Sequence, residues 1–241
     1  MDLVRVIEGF TKFYVPDPEK SKLDSNMPVF FNPVMKLNRD ITVEIIKNSF
    51  KKPKVLDLLA GTGAKGLRIA NEIPGSNVDL NDGNPLASKL IKKNAKFNKL
   101  DVDVFRDSAN KLLKKSRRTY DFIDVDPFGT PIPFLEDSIK RLRKNGIIGI
   151  TATDTSALVG TYPSACMKKY GANNLKTKFM FEVGSRILIK KIVEEGIKQE
   201  IALEPIFTHS SNHYIRIYLK RVNKTLATIK KKVRPLFYCQ N

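Results

Sequence analysis

Short apolar segments typical of strands alternate with longer segments of helical periodicity along most of this chain. Because strands joined through helices pair in parallel, this alternation predicts an α/β fold with a doubly wound sheet. The predicted strands span 55–59, 77–80, 102–105, 122–125, 147–151, 201–207 and 214–219. The predicted helices span 66–72, 85–98, 109–115, 132–144 and 181–199.

The last two predicted strands are joined by a turn too short for a crossover helix, so they should pair antiparallel. In the final strand, Ile215, Ile217 and Leu219 are predicted to face the core. Arg216, Tyr218 and Lys220 are predicted to point outward. A mostly parallel seven-stranded sheet closed by an antiparallel C-terminal hairpin is the Rossmann-like layout of S-adenosylmethionine-dependent methyltransferases.

We expect three parts along the chain. Residues 1–50 form an N-terminal extension of a short strand, a long proline-rich loop and a helix over 38–50, packed on the catalytic domain. Residues 51–222 form the methyltransferase domain. Residues 223–241 form a basic, solvated tail, the remnant of the start of a C-terminal domain.

The chain carries 43 basic and 25 acidic residues, a net charge of +18. Such an excess indicates a polyanionic partner, most simply nucleic acid, although a lysine-rich surface can also serve solubility alone. No apolar stretch approaches the roughly 20 residues that span a bilayer, and the N-terminus lacks a signal-peptide pattern. The two cysteines form no disulfide framework. We expect a cytoplasmic protein without membrane association, and nothing points to an obligate protein partner.

A carboxylate, a proline, an aromatic ring and a glycine come together where strand 122–125 ends, in Asp126, Pro127, Phe128 and Gly129. Ligand sites in open α/β sheets form at the carboxyl ends of strands. Methylation of an exocyclic amino group on a base requires a proton acceptor near the nitrogen and a flat face for the ring. Asp126 and the Pro127 carbonyl are the candidate acceptors, and Phe128 is the candidate stacking face. The alternative is a polar turn with a core phenylalanine.

A glycine-rich loop follows the first predicted strand of the domain, with glycines at Gly61, Gly63 and Gly66. Glycines allow a sharp turn and a close approach of a ligand to backbone N–H groups. The spacing also fits a dinucleotide-binding loop. We favour a methyl donor, because Asp57 within the strand is a poor neighbour for a pyrophosphate. It can instead orient the loop or the cationic end of the donor.

Two further strand ends carry polar side chains. Asp82 can accept hydrogen bonds from both hydroxyls of a ribose, or simply belong to a turn. The segment 106–110 can place a side-chain acceptor on an adenine amino group, with Asp107 or Ser108 capping the next helix as the alternative. Residues 151–155 are predicted to face the same rim, or to form a hydroxyl-rich turn.

Three other groups are predicted to be structural. Asp124 is interpreted as a structural carboxylate. His209 and His213 lie on a predicted hairpin without an acidic partner, so we predict no metal site. Cys166 is predicted to be a small buried residue, not a nucleophile.

Taken together, these motifs resemble the tRNA guanine-26 N2-dimethyltransferases, particularly the archaeal form. The matching segments run in family order over nearly the whole chain: 8–9, 31–35, 38–40, 56–63, 66–68, 81–82, 108–110, 124–129, 151–155, 162–163, 169–171, 182–184, 186–188, 213–214 and 216. The resemblance implies transfer of one or two methyl groups from S-adenosylmethionine to N2 of a guanine in tRNA.

The resemblance also implies roles for particular residues. Arg39, Arg68, Asp82, Ser108 and Ala109 would bind the donor, the two guanidinium groups being suited to its carboxylate. The catalytic face would consist of Asp126, Pro127 and Phe128. Lysines and arginines on the same rim would hold tRNA phosphates, and the target guanine would have to be extruded from the folded tRNA.

The chain departs from the family pattern at two places. The family commonly has Asp-Ala-Asn where this chain has Ser-Ala-Asn at 108–110, so Asp107 is an alternative acceptor. Family members also continue beyond this point with a second domain that helps to hold tRNA. We therefore expect donor binding to survive and efficient tRNA methylation to depend on how the tRNA is held.

Two rival functions fit the same motifs. The first is another amino-group methyltransferase, acting on guanine in rRNA or adenine in DNA, since similar tetrads serve those reactions. The nucleic acid that gains methyl groups would distinguish it. The second is a non-catalytic RNA-binding protein that keeps the methyltransferase fold, which failure to bind the donor would support.

Overall fold

The structure is a computed structural model that describes residues 2–20, 27–211 and 213–237. Within these residues the strands are β1 (Leu3–Glu8), β2 (Thr11–Pro16), β3 (Lys54–Asp57), β4 (Asn77–Asn81), β5 (Asp103–Phe105), β6 (Tyr120–Val125), β7 (Leu142–Ala152), β8 (Leu203–Ser211) and β9 (Tyr214–Arg221). The α-helices are α1 (Lys36–Ser49), α2 (Ala64–Glu72), α3 (Pro85–Phe97), α4 (Ala109–Lys115), α5 (Ile132–Lys140), α6 (Thr155–Leu158), α7 (Pro163–Tyr170), α8 (Met180–Lys198) and α9 (Leu226–Lys232).

Seven of these strands form one sheet in the order β5-β4-β3-β6-β7-β9-β8. The pairs from β5 to β7 are parallel, whereas β9 pairs antiparallel with both β7 and β8. The predicted fold class, a mostly parallel seven-stranded sheet with an antiparallel C-terminal hairpin, is therefore confirmed. The carboxyl ends of β3, β4 and β6 lie at one edge, where the motifs of the sequence converge.

Helices cover both faces of the sheet, and this corrects the prediction for the last strand. The core on one face is built with α4, α5 and α8, and that on the other with α1, α2 and α3. Arg216 and Tyr218 were expected to point outward, yet both are fully buried. Their face of β9 is covered by α1, where the Thr42 hydroxyl lies 2.8 Å from the Tyr218 hydroxyl.

The N-terminal region also differs from its prediction of one strand followed by a long loop. β1 and β2 form an antiparallel hairpin that turns at Gly9, whose φ is +55°. Phe13 and Val15 on β2 pack against Phe31 and against Ala64 at the start of α2. The hairpin therefore packs against the beginning of the helix that follows the glycine-rich loop.

Two predictions near β7 need correction. The helix predicted over 132–144 ends at Lys140, and β7 begins at Leu142. Asn145 has a positive φ of +62°, so the strand is irregular where the longer helix was expected. The short helices α6 and α7 were not predicted, although α7 has a proline at its first turn and ends at a glycine with positive φ.

The C-terminal segment is more ordered than a solvated tail. Residues 226–232 form α9, and its Ile229 is 2% exposed against the main core. Residues 238–241, including Cys239, lie outside the described residues. That 223–241 begins a further domain stays a prediction. Within the described residues, none of the helices has the length and apolar character needed to cross a membrane.

Candidate active site

Two aspartates hold the loop between β3 and α2 by accepting hydrogen bonds from its backbone. Asp57 accepts a hydrogen bond from the Gly66 N–H at 2.9 Å, and Asp82 accepts one from the Gly61 N–H at 2.8 Å. Gly61 has a φ of +55°, and a Cβ there would lie 2.9 Å from the Phe30 carbonyl oxygen. The loop therefore passes too close to the Phe30 backbone for a side chain at position 61. Asp57 hydrogen-bonds to the loop, and its role toward a donor stays a prediction.

Asp82 and the segment 106–110 lie side by side at the ends of β4 and β5. Asp82 accepts a second backbone hydrogen bond, from Asn84, and burial raises the pKa of its carboxyl group above the ordinary value. Asp107 accepts from the Ser108 N–H and forms an ion pair with Lys111. Ser108 occupies the N-cap position of α4 without a side-chain cap bond, and Ala109 begins that helix. Their roles toward a donor stay predictions.

Arg39 and Arg68 belong to an ion-pair network that joins the N-terminal hairpin to the helices. Arg39 donates from Nε and Nη2 to the two carboxylate oxygens of Glu8, at 2.7 and 2.6 Å. Arg68 donates to Asp40 on α1 and to Glu72 on its own helix. Both guanidinium groups therefore have carboxylate partners already, and their predicted contact with a donor carboxylate stays a prediction.

Asp126 stands just after the end of β6, and Lys65 from the first turn of α2 bonds to it. The Lys65 ammonium donates to Oδ2 of Asp126 at 2.6 Å and to Oδ2 of Asp124 at 2.8 Å. Burial by itself raises the pKa of the Asp126 carboxyl group, but the charges of Lys65 and Arg216 outweigh it and the pKa lies below the ordinary value. Asp126 is therefore ionised at neutral pH, with its side chain 21% exposed.

Arg216 completes a charge cluster at the end of β6. Its other members are Asp57, Lys65, Asp124 and Asp126. The Arg216 side chain reaches from β9 across β7 to Asp124 Oδ1 at 2.5 Å, and it also donates to Thr151 at 2.9 Å. Gly149 on β7 makes this crossing possible, because a Cβ there would collide with the Arg216 guanidinium. Asp124 is fully buried in these ion pairs, in keeping with its structural interpretation.

Phe128 provides an exposed aromatic face beside Asp126, not a core side chain. Its ring is 53% exposed and contacts Phe30 edge-on, with ring centroids 4.3 Å apart. Pro127, between the two residues, is buried. Gly129 adopts a φ of +79°, and the space that a Cβ there would enter is open. The tetrad thus lies at the end of β6, as predicted, and the catalytic roles of Asp126, Pro127 and Phe128 stay predictions.

Residues 151–155 reach the same rim as the tetrad. Gly129 N–H donates to the Thr153 hydroxyl at 2.6 Å, and Thr153 N–H donates to the Gly129 carbonyl at 2.9 Å. Asp154 accepts hydrogen bonds from Lys169 and Tyr170, which anchors the segment to α7. The loop after β7 therefore fixes the backbone on which Phe128 is presented.

The remaining candidates fall outside this rim. His209 lies on β8 beside Tyr218, and burial followed by nearby positive charge lowers the pKa of its imidazole to about 4. His213 lies in the turn of the predicted hairpin. Among the residues that the structure describes, no group of three or more metal-ligating side chains is present. Cys166 is fully buried, as predicted.

Lys65 and Arg216 are the site residues that sequence reasoning missed. Asp124 and Asp126 are two residues apart at the end of an extended strand, so their side chains point the same way and their negative charges required a nearby cation. The available signal for this cation was that a lysine, Lys65, stands in the first turn of the helix after the glycine-rich loop. Arg216 was predicted to face solvent because the face of β9 that carries it was assumed to be uncovered.

We expect the protein to lose stability between pH 5 and 8 because of Asp57. Burial and then the negative charge of Asp124 raise the pKa of its carboxyl group from 3.8 to about 7. The folded state thus binds this proton more tightly than the unfolded state. The stabilisation that the bound proton gives the folded state is lost as pH rises through about 7. The loss should be on the order of 2 kcal/mol over this range, measured by urea unfolding.

The matched variant for this pH experiment is Asp57→Asn. An amide oxygen can still accept from the Gly66 N–H, but it cannot ionise. The variant should therefore show a flatter dependence of unfolding free energy on pH. Parallel pH curves for the two proteins would show that Asp57 does not titrate in this range.

The fold and the rim define the class of the protein. Its sheet order and C-terminal hairpin are those of Rossmann-like methyltransferases, with the glycine-rich loop after β3 and the acidic tetrad after β6. A solved structure of Trm1 from Pyrococcus horikoshii, in complex with S-adenosyl-L-methionine, superposes with a TM-score of 0.86 at 34% identity. The match covers 95% of this chain and 64% of that one. Trm5b from Pyrococcus abyssi shares the fold, with a TM-score of 0.63 at 16% identity over 90% of this chain and 55% of its own.

The family follows from the sequence comparison. The model of the N2,N2-dimethylguanosine tRNA methyltransferase family matches residues 9–241, and the chain belongs to this family. A tRNA (guanine(26)-N(2))-dimethyltransferase of Methanosphaera stadtmanae is 42% identical over 95% of this chain and 61% of its own length. The Thermococcus kodakarensis enzyme of the same name is 38% identical over 91% of this chain and 62% of its own. The chain thus spans about three fifths of the length of these relatives, and the predicted family resemblance is confirmed.

Proposed function

We propose that the chain binds S-adenosyl-L-methionine at the rim of β3, β4 and β6 and transfers one or two methyl groups to N2 of guanine 26 in tRNA. The observation that carries the proposal is an ionised Asp126 beside the exposed Phe128 ring, at the edge of the sheet that holds the glycine-rich loop. Relatives named for this reaction, and a Trm1 structure with this donor, support it.

The residues at this edge fit such a donor. The positive φ of Gly61 lets the loop turn tightly against the Phe30 carbonyl oxygen, where a side chain would not fit. The side-chain oxygen of Asn110, beside Ala109, is buried and accepts no hydrogen bond from any described residue. A polar ligand group is a suitable partner for it, because buried acceptors are rarely left unpaired. Asp82, Asp107 and Ser108 supply polar atoms at the neighbouring strand ends. Arg39 and Arg68, the candidates for the donor carboxylate, pair with Glu8, Asp40 and Glu72 in this structure.

When bound, the donor supplies an electrophilic methyl carbon on a sulfonium. The lone pair of the guanine nitrogen forms the new carbon–nitrogen bond as the carbon–sulfur bond breaks, and the nitrogen then carries an excess proton. Asp126 accepts that proton and, with the Pro127 carbonyl, orients the amino hydrogens beforehand. Phe128 supplies the face on which the extruded base stacks. The excess positive charge of the chain attracts tRNA phosphates toward the rim.

Incubation with radiolabelled S-adenosylmethionine and unmodified tRNA transcripts tests the proposal. Label should enter the tRNA, and it should be absent from a transcript in which guanine 26 is replaced by adenine. Equal labelling of both transcripts would place the reaction at another guanine. Absence of label from a protein that binds the donor and the tRNA would refute the proposed activity and favour a non-catalytic RNA-binding role.

A further inference from the structure

Lys65 is buried between two carboxylates, one of which is the proposed proton acceptor. Its side chain is 7% exposed, and its ammonium lies 2.6 Å from Asp126 and 2.8 Å from Asp124. Burial lowers the pKa of this ammonium, but the two carboxylates raise it above the ordinary value, so Lys65 stays protonated. A cation in this position acts on Asp126 both by charge and by geometry.

Asp124 has a second cation of its own, so its charge does not by itself explain Lys65. Arg216 Nη2 lies 2.5 Å from Asp124 Oδ1, whereas the lysine contacts the other oxygen, Oδ2. Lys65 is therefore anchored by its ion pair with the buried Asp124, and Asp126 is its second ion-pair partner. The ammonium holds Oδ2 of Asp126 and so restrains the position of the carboxylate at the end of β6.

We propose that Lys65 is a positioning residue that holds the Asp126 carboxylate ionised and oriented toward the amino group to be methylated. This inference rests on the proposed function. The ion pair also makes Asp126 a weaker base, because the Lys65 cation stabilises the ionised carboxylate. A weak base suffices, since an exocyclic nitrogen that has just gained a methyl group is strongly acidic and gives up its proton readily.

The groups that face Asp126 come from several elements. They include Asp57 on β3, Lys65 on α2, Asp124 on β6, Thr151 on β7, and Tyr214 and Arg216 on β9, with His209 on β8 interacting with the same cations. Among the described groups near Asp126, Lys65 and Arg216 are the cations that lower its pKa. Lys65 is the one bonded directly to the carboxylate.

The test compares Lys65→Met, Lys65→Arg and the control Lys51→Met in kcat, donor affinity and pH profile. Lys65→Met should lower kcat about 10²-fold, because a misplaced acceptor forfeits the oriented geometry. The acidic limb of its pH profile should move up by about one pH unit or more, since an ionised Asp126 is required and has lost its cation. Lys65→Arg keeps the charge and should restore the position of the limb.

Lys51 is an exposed lysine just before β3, at the opposite edge of the sheet, so Lys51→Met should leave all three quantities unchanged. A merely structural role for Lys65 would reduce activity equally at every pH, and an unmoved limb in Lys65→Met would overturn the proposal. Should Lys65→Met fail to fold, Lys65→Gln gives the same comparison, because its amide donates hydrogen bonds without charge.

A second readout separates this inference from the proposed function. The pKa of the Asp126 carboxyl group can be measured by carbon-13 NMR on aspartate-labelled protein, with the signal assigned from Asp126→Asn. This pKa should rise in Lys65→Met and stay near the native value in Lys65→Arg. If the native protein transfers no methyl group, the proposed function fails, and the NMR comparison still decides whether Lys65 controls Asp126.

Discussion

Asp126→Ala is expected to lower the rate of methyl transfer by about 10²–10⁴-fold, the usual contribution of a positioned proton acceptor. Affinity for the donor should change by less than about tenfold, since the loop proposed to bind it is held by other groups. Those groups are Asp57 and Asp82, which accept hydrogen bonds from Gly66 and Gly61. Single-turnover methylation and equilibrium binding of the donor measure the two effects separately.

Asp101→Ala is the matched control for this variant. Asp101 is an exposed aspartate before β5, at the far edge of the sheet, and its loss should affect neither quantity. If Asp126→Ala reduced donor affinity as strongly as the methylation rate, Asp126 would be a structural residue of the rim. A methylation rate within tenfold of the native value would show that the proton leaves by another path.

The sheet was predictable because its strands are buried on both faces and are bounded by loops with strong turn residues. The parallel strands from β3 to β6 were each located within about two residues, whereas β7 begins five residues earlier than its predicted start. The N-terminal hairpin was missed because the proline-rich stretch after Tyr14 dominated the interpretation of a region whose strands are only six residues each. Their stability comes from packing on Ala64 and Phe31, which no local pattern reveals.

The individual residues of the rim were predictable, but the charges beneath it were not. Asp57, Asp82 and Asp126 each follow or end a strand, and parallel strands bring such positions together. Arg216 reaches Asp124 only because β9 inserts next to β7 and because Gly149 leaves its path open. That contact depends on the order of the strands in the sheet, which the sequence pattern alone does not predict. A glycine in the interior of an otherwise β-branched strand was the available signal for a close approach.

Arg216→Met is expected to lower the free energy of unfolding by about 3–5 kcal/mol, because it leaves buried negative charge with one fewer partner. Arg216 is fully buried, and its side chain bonds to Asp124 and Thr151. Methionine fills a similar volume, so loss of packing contributes little to the expected change. Urea unfolding at pH 7 measures it. Donor affinity, measured on the folded fraction, should change far less.

The controls separate buried charge from charge in general. Arg186→Met removes an exposed arginine whose pair with Glu182 is about two-thirds solvent-accessible, and it should cost no more than about 0.5 kcal/mol. The double variant Arg216→Met with Asp124→Asn removes both members of the buried pair and should recover much of the lost stability, since no uncompensated carboxylate remains. Equal costs for Arg216→Met and Arg186→Met would contradict the cluster as a source of stability. Lys65 alone would then be sufficient to balance Asp124 and Asp126.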